Sequence, residues 1–311
     1  MDDRRIYDLV PVDSPDAILD EVKTILGLMS VNDEIDYVVS AFDTTVKLDK
    51  GNYPGYRECN TRYHDFSHVS ATFLAMARLI HGAALEGYTF NPYLVMLGLN
   101  AALFHDTGYL QEEHDTEGTG AKYTTTHVQR SMDFLEQYGL RNGFQEKEIR
   151  AGKLMIYCTD LNADINAIKF PSPEVEMLGK MLGTADLHAQ MAERLYLEKL
   201  IFLYEEFKEG LAGAYLSIED LLRKTADFFQ LISERIKNKL DGVDRFMREH
   251  FATRWNIQKD LYLEAIENVK NYLNKILVHP DHELLHYLRR HEVVDEVLSS
   301  RKMMGISTAT N

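Results

Sequence analysis

Leu94-Val95-Met96-Leu97-Gly98-Leu99-Asn100-Ala101-Ala102-Leu103-Phe104-His105-Asp106 is the stretch on which the fold turns. Asn100 is its one polar residue before His105. A bilayer span takes about 18 to 20 apolar residues, so this run reads as a helix buried inside a protein. It delivers an imidazole and a carboxylate at its end. Neighbouring side chains on a helix diverge by about 100°. His105 and Asp106 can therefore meet one ion only along the edge between them, and Asp106 keeps a free oxygen suited to bridging a second ion.

Working outward, helical periodicity dominates and alternating β-branched runs are lacking, so the fold class is all-α. Upstream, Ser14-Pro15 opens a helix through about Met29, and a second amphipathic helix covers Asn32 to about Leu48. The segment 49–62, with Gly51, Pro54 and Gly55, is a loop. Ser67 to Leu85 carries an apolar stripe that packs on the helix opened by Asn91-Pro92. Downstream, residues 107–126 form an ordered loop over the site. Thr125 or Thr126 caps a helix through Gln137 that Gly139 closes. Phe144 to Tyr157 is the next helix, and Pro171 to Pro173 punctuate the chain before the helix bearing Asp186. Two or three long helices follow over Ser217–Leu240, Val243–Val278 with breaks, and His282 to about Ser300. The apolar stripe from Tyr262 to Ile276 is a packing face against the core, with a homodimer contact as the alternative.

The chemistry-bearing residues are few and widely spaced. His64 and His68 stand four apart in Tyr63-His64-Asp65-Phe66-Ser67-His68. That spacing puts both rings on one helical face and suits a metal ligand beside a proton donor. His105-Asp106, His127 and Asp186 complete a set with the residue types of a metal-bound hydrolytic centre.

These pieces resemble a family. Tyr63-His64-Asp65-Phe66-Ser67-His68, His105-Asp106, Met155-Ile156-Tyr157-Cys158-Thr159-Asp160 and Thr184-Ala185-Asp186-Leu187 are similar, in order, to the YHNxxH, HD, (V/L)xxTD and xADL elements of class I cyclic-nucleotide phosphodiesterases, within the HD-domain metal-dependent phosphohydrolases. The resemblance spans roughly residues 60 to 210. It implies an HD/PDEase-like helical bundle with additional C-terminal helices: residues 1–58 pack on a catalytic core of 59–210, 211–300 pack on it from the other end, and 301–311 are a flexible tail. It implies His68, His105, Asp106 and Asp186 as ligands of a first divalent metal (Zn, Mn, Mg or Fe), with Asp106 shared with a second. His64 would be the general acid of a phosphodiester hydrolysis by metal-activated water. His127, Tyr109 and Glu117 fall on the second-metal or substrate side, and Asp160 reads as a structural residue behind the ligands. Tyr204-Glu205-Glu206-Phe207 is similar to a stretch following the last aspartate of that pattern, and equally to a helix of mixed charge.

The chain also departs from the pattern. Tyr109 stands where a histidine is expected and Thr124 where a glutamate is expected, with Glu112, Glu113, His114 and Glu117 between them as stand-ins. Thr225, in Thr225-Ala226-Asp227-Phe228, takes the place of a purine-clamping glutamine. A cyclic nucleotide is then one substrate among phosphoesters, and a nucleotide phosphomonoesterase is the alternative hydrolase. An iron-dependent oxygenase and a noncatalytic regulatory protein of the same fold are the readings from other classes.

The composition narrows the field. A chain of 311 residues, 45% hydrophobic, can bury a sizeable core. A net charge of −15 disfavours nucleic acid and anionic lipid as partners, so the small-molecule phosphoester that the resemblance implies would rely on local metal charge. The start, Met1-Asp2-Asp3-Arg4-Arg5-Ile6, has no apolar core of a signal peptide. Cys59 and Cys158 are too few for a disulfide framework. A cytoplasmic protein is the expectation. His81, His188, His250, His279, His282, His286 and His291 have no counterpart in the pattern and read as surface or structural.

Overall fold

The structure, a computed structural model, describes residues 3–12, 14–288 and 294. The expected tail 301–311, His291 and the end of the last expected helix lie outside the described residues. Those residues are all-helical, with a lone pairing between Tyr56 and Glu112 as the sole β-bridge among them. No helix among them is long and apolar enough to cross a membrane.

The helices are α1 (Pro15–Leu28), α2 (Ile35–Asp49), α3 (Phe66–Leu85), α4 (Pro92–Phe104), α5 (His127–Arg141), α6 (Glu146–Tyr157), α7 (Pro173–Met191), α8 (Tyr196–Gly210), α9 (Ile218–Asn238), α10 (Phe246–Trp255), α11 (Leu261–Ile276) and the single turn α12 (Asp281–Leu284). Their starts follow from capping. Ser14, Asn91, Ser172 and Ser217 each accept a hydrogen bond from a backbone N–H of the first turn, which satisfies donors that the helix cannot. The stop between α10 and α11 comes from Asn256, which adopts the left-handed conformation at φ 56°.

Several helix boundaries differ from the sequence reading, among them α6, which begins at Glu146 rather than Phe144. α2 begins at Ile35 rather than Asn32. The helix bearing His68 is capped by Asp65, whose Oδ1 accepts from the His68 N–H at 3.0 Å and the Ser67 hydroxyl at 2.5 Å. Gly139 does not close α5, which continues to Arg141; a β-carbon there would crowd Ile149 at 3.0 Å and Phe144 at 3.1 Å. That glycine serves the approach of α6, not a helix end.

α4 is the axial helix. Residues 95–104 are all buried, with α2, α3, α5, α6 and α7 around them. α3 lies along α7, and α10 and α1 cover the outer side of α3. This assembly shares one apolar cluster. A second cluster joins α8, α9 and the later part of α11 to Tyr63, Cys158 and Leu187. Gly183 of α7 sits against the Cys158 carbonyl, where a β-carbon would lie 2.6 Å from it, so the end of α6 is drawn against α7 beside Asp186. The candidate site residues collect along the seam between the two clusters.

A buried polar network stitches α3 to α10 and α11. Arg78, 1% exposed, donates to the Tyr262 hydroxyl at 3.0 Å, and the Nδ1 atoms of His81 and His250 are 3.1 Å apart. His188 stacks on Tyr262. These three histidines are buried.

Candidate metal centre

α4 ends at Phe104, and its end decides the geometry of the centre. His105 still has helical angles, but Asp106 has left the helix at φ −111°, ψ 7°. The divergence expected of neighbouring helical side chains is thereby relieved: His105 Nε2 and Asp106 Oδ2 approach to 3.4 Å. His68 reaches the same point from the first turn of α3, and Asp186 from the middle of α7.

Five separations among the four donor atoms run from 3.1 to 3.6 Å: His68 Nε2 to His105 Nε2, Asp106 Oδ2 and Asp186 Oδ1, and His105 Nε2 to the same two oxygens. Donors about 2.1 Å from one ion stand about 3.4 Å apart in tetrahedral and about 3.0 Å apart in adjacent octahedral positions. The spacing is that of a coordination shell. Among the described residues, buried His68, His105 and Asp106 form a group that could hold a metal ion, and Asp186 Oδ1 lies beside its two imidazoles, 3.1 Å from His68 Nε2 and 3.6 Å from His105 Nε2. Asp106 Oδ2 is buried with no hydrogen-bond partner, an arrangement that costs stability unless a cation faces it.

The protonation states agree. Burial works against a charged His68, but the close Asp106 and Asp186 carboxylates outweigh it and hold the imidazole up to about 10. His105 is raised for the same reasons. Burial alone would raise Asp106 and Asp186, yet the facing histidines keep Asp106 well below the usual carboxylate range and Asp186 below it too. A divalent cation held here would take over from the imidazole protons in balancing the carboxylates and would displace them.

Neighbouring groups fix the ligands. The His105 Nδ1–H donates to the Ala102 carbonyl at 2.8 Å, leaving Nε2 free for the cluster, as such backbone contacts do around metal-bound imidazoles. Gln190, four residues after Asp186 on α7, donates to Asp186 Oδ1 at 2.9 Å and accepts from the Tyr63 hydroxyl at 3.1 Å.

His64 lies at the edge of the cluster, its ring centroid 6.1 Å from that of His68. Its Nδ1 is 2.7 Å from Glu206 Oε2, while Glu206 Oε1 accepts the Tyr63 N–H at 2.7 Å. Buried Glu206 is thus held by the chain that carries His64. Composition alone hid this residue in a mixed-charge helix, although its motif was visible in Tyr204-Glu205-Glu206-Phe207.

Tyr109 is stacked between His64 and His127, with centroids 4.2 Å and 4.5 Å away. Burial and the nearby Asp106 carboxylate push its hydroxyl well above the ordinary value, so it remains a neutral phenol. His127 Nε2 is 3.9 Å from Asp106 Oδ1, and its Nδ1–H donates to the Thr124 carbonyl at 2.7 Å. Burial lowers its pKa, keeping a lone pair toward Asp106. His127 therefore stands beside Asp106, with Tyr109 stacked on its ring. Glu117 does not join them: its side chain is exposed, and it contributes only its carbonyl, to Gln111 and Lys122. Glu112, Glu113 and His114 are exposed as well, because the loop turns them outward. Asp160 caps its own turn by accepting the Asn162 N–H at 2.8 Å and lines the cavity beside the cluster.

Comparison of the chain with family models, with curated proteins and with solved structures returns no match.

Proposed function

We propose that this protein is a divalent-metal-dependent hydrolase of phosphoesters, acting on a diester in the manner of the phosphodiesterases its motifs resemble. The observation that carries the reading is the meeting of His68, His105, Asp106 and Asp186 at coordination distances beside a histidine oriented by a buried carboxylate.

A cation at this cluster supplies a water activated near neutral pH and positive charge for the phosphoryl oxygens. The chain's own residues supply the rest. Glu206 holds the His64 Nδ1 proton, so that the opposite nitrogen presents a proton to the departing ester oxygen, help typically worth about 10² to 10⁴ in rate. Tyr109 keeps the His64 ring from rotating by stacking on its face. Asp106 Oδ1 and His127 Nε2 are the groups that would hold a second ion. The first-ion set mixes imidazole and carboxylate, which accommodates Zn²⁺, Mn²⁺, Fe²⁺ or Mg²⁺.

The test is hydrolysis by purified protein, loaded with each of these metals, of bis-4-nitrophenyl phosphate, 4-nitrophenyl phosphate, cyclic nucleotides and nucleoside monophosphates. Diester turnover that collapses in His64→Ala at unchanged metal content supports the reading. Turnover confined to monoesters places the chain with the phosphomonoesterases, and iron-specific oxygen consumption without hydrolysis replaces hydrolysis altogether.

A further inference from the structure

A cavity of about 530 Å³ extends from the metal cluster along the seam between the two apolar clusters, with His64, Asp106, His127 and Asp186 at one end. Its size is that of a small-molecule site. Beyond the cluster its walls include Leu187 of α7, Leu200, Leu203 and Phe207 of α8, and Leu221 and Phe228 of α9.

Several polar side chains of the same walls are already committed. The Thr225 hydroxyl donates to the Leu221 carbonyl at 2.8 Å within its own helix. Those of Thr159 and Thr124 do the same to Ile156 at 2.8 Å and Ala121 at 2.6 Å. Both ends of the Gln190 amide are taken, and the Gln129 amide is exposed and donates to Asp133 at 2.8 Å. Asn162 is exposed. Among the described residues, no side-chain amide in this lining is both buried and without a partner. A site that reads a nucleobase needs such groups, because discrimination of about 10⁴ or more comes from buried hydrogen-bonding partners and not from apolar walls.

Resting on the hydrolase reading, we infer that the substrate is a phosphoester whose ester group is a bulky apolar body, alkyl or aryl, and not a nucleoside. The phosphate faces the cluster and the apolar group fills the space between α7, α8 and α9. Leu161 continues the apolar lining to the surface, where it is 45% exposed, and its carbonyl is fixed by Arg235 at 3.0 Å.

The experiment has a binding arm and a turnover arm, both on the full chain loaded with Mn²⁺. Calorimetry with methyl-, butyl-, hexyl- and octylphosphonate, kept below their aggregation limits, reads the apolar contact without hydrolysis. Each buried CH₂ is worth up to about fourfold in affinity, so Kd should fall at least tenfold from butyl to octyl. Leu203→Asn and Phe228→Ala should each flatten that gain, with metal content unchanged. In the turnover arm, octyl and phenyl 4-nitrophenyl phosphate diesters should exceed the methyl diester and cyclic AMP in kcat/KM by at least tenfold. A chain-length series that is flat in binding, or a tenfold preference for cyclic AMP, overturns the apolar-substrate inference. Chain-length-dependent binding with no turnover of any ester overturns the hydrolase reading and leaves the apolar site standing.

Discussion

Glu206 Oε2 lies 2.7 Å from His64 Nδ1 although the two residues are 142 apart in sequence. The contact joins α8 to the turn before α3, and it makes an otherwise ordinary histidine into one whose orientation and tautomer are fixed. Removing the two partners should have unequal effects. His64→Ala should lower diester kcat by about 10² to 10⁴. Glu206→Gln, which keeps a hydrogen-bond acceptor but loses the charge, should lower it by less. Metal content measured alongside should be unchanged in both. Equal loss of metal would mean that the pair shapes the cluster and not the chemistry.

Metal affinity should rise with pH. The His68 imidazole is held protonated up to about 10, and an ion must displace that proton. With one proton released, the apparent binding constant grows about tenfold per pH unit between 7 and 9. The ion-free protein behaves in the opposite sense. A raised histidine pKa stabilises the fold fully below the ordinary 6.5, and that stabilisation is lost as pH climbs through about 10. Calorimetry in buffers of different ionisation enthalpy counts the protons, and thermal unfolding with and without Mn²⁺ reads the second effect.

Gly108, two residues after Asp106, has no room for a side chain, because a β-carbon would run into the His127 carbonyl. Its N–H donates to Ser131 at 2.9 Å and its carbonyl accepts from Arg130 at 2.8 Å. Gly108→Ala should therefore cost about 1 to 3 kcal/mol and displace His127. Urea unfolding reads the first. Loss of any second equivalent of bound metal, with the first retained, reads the second.

Asp260 caps α11 through Oδ1, which accepts from Tyr262 N at 2.8 Å and Leu263 N at 3.1 Å, while Oδ2 is buried without a partner. Burial pushes this carboxyl up to about 7. The fold is then most stable with respect to this group below the ordinary 3.8, and loses stability as pH rises from there to about 7. Asp260→Asn keeps the cap and removes the ionisation. It should stabilise by roughly 2 kcal/mol at pH 8, an effect that shrinks to nothing near pH 4.

The all-helical fold was legible because apolar periodicity and capping residues act locally: Ser14, Asn91, Ser172 and Ser217 stand where the helices begin. The four first-ion donors were legible as residue types in a recurring order. What brings them together was not. The break from helix at Asp106, the stacking of Tyr109 between His64 and His127, and the clamp of Glu206 on His64 depend on contacts across more than one helix. Spacing along the chain does not encode those contacts. Gln190 was within reach, since it stands one turn beyond Asp186 on the same face of α7. Glu117 failed for the reverse reason: its position in the intervening loop looked suitable, but the loop turns its side chain to solvent.

The central claim is that His68, His105, Asp106 and Asp186 share one cation. Elemental analysis of the purified protein and of Asp186→Ala, each after equilibration with Zn²⁺, Mn²⁺, Fe²⁺ and Mg²⁺ and removal of free ions, tests it most directly, with thermal unfolding on the same samples. The account predicts about one tightly held equivalent or more in the wild type, a clear rise in unfolding temperature on loading, and loss of both in a variant that remains folded. A folded wild type that retains none of these metals and gains no stability from them would contradict it.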